Sequence, residues 1–129
     1  MLERTRNIYH RGVVIWYSDY SNLKGQELVE AIRSNIKKYL ARPKDEKEIG
    51  LALLNIDNAV LDRDAVEAFK RSGEQIRDFQ KVVAVVGAKG MKGVIIDWVS
   101  FFTKVKIKTF HDEQTALDWL VEQKNQRII

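Results

Sequence analysis

KVVAVVGAKGMKGVIIDWVSFF, residues 81–102, sets an unbroken apolar run against a glycine-rich turn and then a helical pattern. The run over 82–86 is short and almost entirely valine. No polar residue alternates through it, so 81–86 (KVVAVV) reads as a strand covered on both faces. Gly87, Gly90 and Gly93 punctuate the turn that follows. From Met91 the apolar residues fall at helical spacing as far as Phe102. A buried strand that turns at once into a helix is half of a crossover connection, the unit from which parallel sheets are built.

The same unit recurs on either side. Upstream, 49–56 is another mostly apolar strand, and a loop over 57–62 leads to a helix over 63–78. Val66, Phe69, Gly73 and Ile76 form its inward stripe. Asp62 or Asp64 caps it; with Asp64 as the cap, Glu67 completes a capping box. Further upstream, 13–20 (VVIWYSDY) is a β-branched and aromatic strand, and 24–40 a helix with Leu28, Ile32, Ile36 and Tyr39 on one stripe. Ser21 or Asn22 is placed to cap that helix. Residues 41–48 (ARPKDEKE) read as a charged surface connection. At the start, a strand over 4–9 joins 13–20 through a His10-Arg11-Gly12 turn.

Downstream, 104–110 alternates strictly: Val105 and Ile107 face one way, Lys104, Lys106 and Lys108 the other. Asp112 caps a last helix over 113–124 with Ala116, Leu117, Leu120 and Val121 inward. Trp119 falls off that stripe, towards a neighbouring strand or a dimer partner. The expected fold is α/β: one domain over 1–129, a mixed, mostly parallel sheet of four to five strands with four helices, and right-handed crossovers.

Composition removes several function classes. A 45% hydrophobic, 31% charged chain has the apolar content for a core and is not a disordered segment. With no cysteine and only His10 and His111 as histidines, it holds no disulfide, no thiolate and no histidine-rich metal site. Residues 1–11 lack the apolar stretch of a signal peptide. The run over 82–86 is far short of the roughly 20 residues that cross a bilayer. The expectation is a cytoplasmic chain without a transmembrane segment. A net charge of +4 comes from 22 basic and 18 acidic residues with interspersed signs. No nucleic-acid motif accompanies it, so nucleic acid is not an expected partner.

Four segments, VVIWYSDYSNLKGQELVEAI, LALLNIDNAVLDRDAVEAF, VVAVVGAKGMKGVIIDWVSFF and KIKTFHDEQTALDWLV, resemble in order and spacing the SpoIIAA-like proteins. These are stand-alone relatives of the STAS domain of anti-sigma-factor antagonists, also described as STAS/SEC14-like. The resemblance covers nearly everything after Gly12. It implies four helices on a four- or five-stranded sheet, no enzymatic activity, and binding of partner proteins or apolar ligands. STAS antagonists are switched by phosphorylation of a serine or threonine just after the second core strand. Residues 55–64 here (NIDNAVLDRD) contain neither.

Two regions stand out as contact sites. In open α/β sheets ligands gather beyond the carboxyl ends of the parallel strands. There stand Asp19, Ser21, Asn55, Asp57, Asn58, and the 87–93 turn with Lys89 and Lys92. The turn offers amides and lysines to a phosphate. It lacks both the Walker A ending and dinucleotide spacing, and glycines at such a turn also serve sterics alone. Asp19, Ser21 and Asp57 are equally the residues that hold turns and caps. Asp19 and Asp57 at adjacent strand ends are the single candidate carboxylate pair, without a nucleophile or histidine to support catalysis. The second region is the helix from Met91 to Phe102. Met91, Val94, Ile95, Trp98, Val99, Phe101 and Phe102 make its apolar arc, either a core face or a surface for a second subunit, a lipid or a membrane.

The sequence therefore points to a binding or regulatory module without cofactor, metal or catalytic residues. Asp57, Asn58, Lys89, Lys92, Trp98 and Phe101 are its candidate contacts. They would meet a protein partner or a second copy, or alternatively a lipid or other small apolar ligand, with peripheral membrane contact left open. The Lys104, Lys106 and Lys108 row fits anionic headgroups or the protection of an edge strand.

Overall fold

Alternation within the strands decides the layering. A computed structural model of the chain describes residues 4–47, 50–102 and 104–127. Five strands, β1 (Thr5–His10), β2 (Val13–Asp19), β3 (Leu51–Asn55), β4 (Val82–Val86) and β5 (Lys106–Phe110), lie in spatial order 1-2-3-4-5. β1 pairs antiparallel with β2, and the remaining pairs are parallel. The β1–β2 loop is two residues, Arg11 and Gly12, both at positive φ, which suits the right-handed twist of a hairpin.

The helices are α1 (Gly25–Leu40), α3 (Arg63–Ile76), α4 (Lys92–Phe101) and α5 (Glu113–Arg127), with a single helical turn, α2 (Lys44–Lys47). Side chains at even positions of β2, Trp16 and Ser18, point towards α1 and α3; Val13, Ile15 and Tyr17 point towards α5. In β3 and β4, Leu54, Val83 and Val85 join the α1, α3 and α4 side, while Leu51, Leu53, Val82 and Ala84 join the α5 side. Among the described residues, α5 is the helix that covers its face. Both faces of β3 and β4 are therefore buried, which is why those strands show no polar alternation.

Several expectations shift in detail. The stretch read as a plain connection contains α2; Pro43 just before it fixes φ for a helical start. Neither Ser21 nor Asn22 caps α1: its N-cap is Lys24, with no side-chain cap bond. Asp62, rather than Asp64, caps α3, accepting from the Ala65 amide at 2.9 Å. β5 starts at Lys106, and α5 runs on to Arg127. Ile49, read as the start of β3, lies outside the described residues. Trp119 is buried: its ring packs on Phe110 with centroids 5.3 Å apart. The lysines opposite it explain the apparent mismatch. Lys106 Nζ and Lys108 Nζ lie 5.7 and 5.9 Å from the centre of the Trp119 ring, and Lys106 donates to Gln123 Oε1 at 2.6 Å. The lysine row on this edge strand is thus partly spent covering α5.

Candidate functional site

The carboxyl ends of the parallel strands align in register: Asp19 with Asn55, Asn55 with Val86, Val86 with Phe110. The loops beyond them are held by backbone bonds, Tyr20 N–H to Asn55 O at 2.8 Å and Asn22 N–H to Asp57 O at 2.9 Å. Gly87, at φ +85°, lies against Asp57 so closely that a Cβ there would sit 2.5 Å from Asp57 Cα. Only glycine meets both the dihedral and the approach. The result is an open cleft of about 870 Å³ lined by Asn55, Asp57, Lys89, Thr109, His111 and Glu113, among others.

Three polar side chains of that cleft, Asn55, Asp112 and Glu113, already hold the fold. Tyr17 Oη donates to Glu113 Oε1 at 2.6 Å, and burial, then that carboxylate, pushes the Tyr17 hydroxyl up to about 12. Asn55 Oδ1 accepts from the Asp57 amide, and Asp112 caps α5 through the Thr115 amide. Asp19 accepts from Ser21 N–H and Oγ–H at 2.9 and 2.6 Å, so it closes a turn rather than pairing with Asp57. Asp57 and Lys89 do share the cleft. Asn58 does not line it; it is an exposed turn residue at φ 58°, a conformation asparagine tolerates. The side chain of Lys92 lies outside the described part. Among the described residues no three histidine or carboxylate groups converge as a metal ion needs.

The other face holds a different kind of site. Between α1, α3, α4 and the sheet lies a cavity of about 90 Å³. Its walls are apolar and aromatic, among them Ile36, Leu54, Phe69, Val83 and Trp98. One wall carries a buried polar hub on α1. Asn35 Oδ1 accepts from Trp16 Nε1–H at 3.0 Å, and Asn35 Nδ2–H donates to Ser18 Oγ at 2.9 Å and to the Tyr20 hydroxyl. Burial raises the Tyr20 hydroxyl well above the usual phenol range and the Tyr39 hydroxyl to about 12. On α3, Gly73 leaves room for the Phe102 ring, which a Cβ would meet at 2.3 Å. Trp98 is 4% exposed, and its Nε1–H has no hydrogen-bond partner. A buried donor left unpaired costs about 1–3 kcal/mol.

The α4 arc is therefore divided. Trp98 and Phe102 are core, whereas Phe101 and Val99, expected on the same arc, are each 44% exposed. Lys70 of α3 explains Phe101: its Nζ pairs with Asp97 at 2.6 Å and lies 5.6 Å from the centre of the Phe101 ring, shielding it at the surface. The structure thus sends five of the six expected contacts, all but Lys92, to four places: the cleft, an adjacent turn, the cavity and the outer face of α4. It adds Asn35, Ser18, Tyr20 and Arg77, which sequence reasoning missed. Asn35 carried a signal, being a polar residue three positions after Ile32 on the stripe of α1.

This fold agrees with the comparisons. The SpoIIAA-like family model matches residues 14–121, and the chain belongs to that family. Its fold supports a binding or regulatory module, and STAS-type domains of this kind are generally non-enzymatic. A similar solved structure is an uncharacterised protein from Shewanella loihica PV-4 with a SpoIIAA-like fold. It has a TM-score of 0.60 and 21% identity over 90% of this chain and 91% of that one. No curated protein shows significant similarity to the chain. No helix among the described residues is long and apolar enough to cross a membrane.

Proposed function

We propose that this chain is a non-enzymatic binding module that takes a small apolar ligand into the cavity between α1, α3, α4 and the sheet. The observation that carries this reading is the unpartnered Trp98 N–H in the wall of that cavity. Buried donors almost always find a partner. A ligand with an oxygen acceptor supplies one without exposing Trp98 to water. The strand-end cleft favours a ligand less, because Asn55 holds a turn, Asp112 caps α5 and Glu113 is engaged by the Tyr17 hydroxyl.

Native mass spectrometry of gently purified protein tests this directly. Extra mass that an organic extract releases is expected. The companion titration follows tryptophan emission with octanol as probe, since Trp16 and Trp98 both line the cavity. A bare single-chain mass together with unchanged emission sinks the reading. A bare mass at two chains favours the other binding mode, self-association through Val99 and Phe101 on the outer face of α4.

A further inference from the structure

The cavity's lining is chemically lopsided. Arg77, at the C-cap of α3, is the one charged residue among its lining residues and the one that is exposed, so it marks the rim. Its guanidinium pairs with no carboxylate among the described residues. A cation at this position has an ordinary role, answering the carbonyls at the end of a helix. Here Lys81 already does so, its Nζ donating to Arg77 O at 3.0 Å. The Arg77 side chain is left over. A second arginine stands at the same wall: the Arg42 guanidinium lies 4.5 Å from the centre of the Trp16 ring, and Trp16 lines the cavity.

Two donors thus lack partners, the Arg77 guanidinium at the rim and the N–H of Trp98, beside the Ser72 hydroxyl, which can donate or accept. The acceptors of the hub are satisfied, since Asn35 Oδ1 and Ser18 Oγ both accept within it. A site with spare donors and apolar walls selects a ligand with an acceptor head and an apolar tail. A planar guanidinium favours a carboxylate, which accepts two parallel hydrogen bonds. The volume of about 90 Å³ limits the tail to a single short chain.

We propose that the ligand is a single-chain carboxylate amphiphile, its head on Arg77 at the rim and its tail among Ile36, Leu54 and Val83. This rests on the cavity reading above and adds the head group. The test is calorimetric titration of the full chain with octanoate and with octanol, which share a chain length and differ in the head. Octanoate is expected to bind roughly tenfold more tightly, the scale of one charge-assisted hydrogen-bonded contact. Arg77→Gln, at an exposed position, is expected to erase that margin and leave octanol binding as it was. Lys89→Gln in the strand-end cleft is expected to change neither.

Equal binding of the two probes to the wild-type chain overturns the head-group assignment and leaves the cavity reading standing. Binding of neither takes both down. A margin that survives Arg77→Gln overturns the role of Arg77, and a margin lost with Lys89→Gln places the carboxylate in the cleft instead and overturns the proposal.

Discussion

The two faces of the sheet are built from different materials. Towards α5 the core is mostly aliphatic, with Ile15, Leu53, Ala84, Ala116 and Leu120 fully buried beside Tyr17 and Trp119, and among the described residues no polar side-chain atom there is buried without a partner. Towards α1, α3 and α4 the core is aromatic. Tyr20 meets Phe69 edge-on at 5.2 Å between ring centres, Phe69 tilts against Trp98 at 5.1 Å, and Trp16 meets Tyr39 at 5.6 Å. Branched aliphatic side chains interdigitate to crystal-like density. Large flat rings meeting at angles leave gaps, and a polar hub set among them cannot collapse into those gaps without losing its hydrogen bonds. One face is therefore a foundation, and the other holds the space.

The comparison breaks if the two faces cannot be perturbed separately. Leu120→Ala has the largest expected effect. It removes a fully buried side chain from the α5 face, where neighbours have little freedom to close the gap, and is expected to cost about 3 kcal/mol of stability. Urea unfolding measures that loss, and octanol affinity of the folded variant is expected to stay unchanged. Weakened octanol binding would mean that the faces are one unit.

Asn35→Ala comes next, at about 2 kcal/mol, because it strands the Trp16 N–H and removes the donor that Ser18 and Tyr20 share. Unlike Leu120→Ala, it is expected to alter octanol affinity as well as the urea midpoint. An unchanged affinity would show that the hub does not shape the cavity.

Much of this division was legible in the sequence. The VVAVV run of β4 and the LALLN run of β3 announced strands buried on both sides, and the stripes of α1 and α5 announced what covers them. What stayed hidden depended on contacts between distant elements. Trp119 looked misplaced on α5 because nothing local reveals that Lys106 and Lys108 of β5 cover it. Phe101 fell on an arc that read as either core or contact surface, because helical periodicity cannot know that Lys70 of α3 shields it at the surface. The cavity was least visible of all. A space is what side chains fail to fill, and that depends on how Phe102 rests in the notch left by Gly73. Among the candidate contacts, Asp57, Lys89 and Trp98 line one site or the other because strand ends and an apolar helix face are positions that topology alone fixes.

High pH offers the finest way to set one face against the other. Tyr17 lies on the α5 side and Tyr39 on the aromatic side, and burial lifts both hydroxyls from 10.0 to about 12. Between those values an unfolded chain has released these protons while the folded chain still holds them. The unfolded state binds fewer protons there, so stability falls as pH rises. The contribution is fully present below pH 10 and is lost as pH climbs to about 12. Each tyrosine adds a slope of up to about 1.4 kcal/mol per pH unit across that window. Tyr17→Phe and Tyr39→Phe are each expected to flatten the alkaline limb of a urea-midpoint series by one such step. The two variants differ at neutral pH. Tyr17→Phe removes the hydroxyl's bonds to Glu113 at the start of α5 and to Asn55 at the end of β3, while Tyr39→Phe removes a partner of Gln80 in the cavity wall and is expected to loosen octanol binding. If both flatten the limb but only Tyr39→Phe changes affinity, the foundation and the binding face are distinct in function as well as in packing.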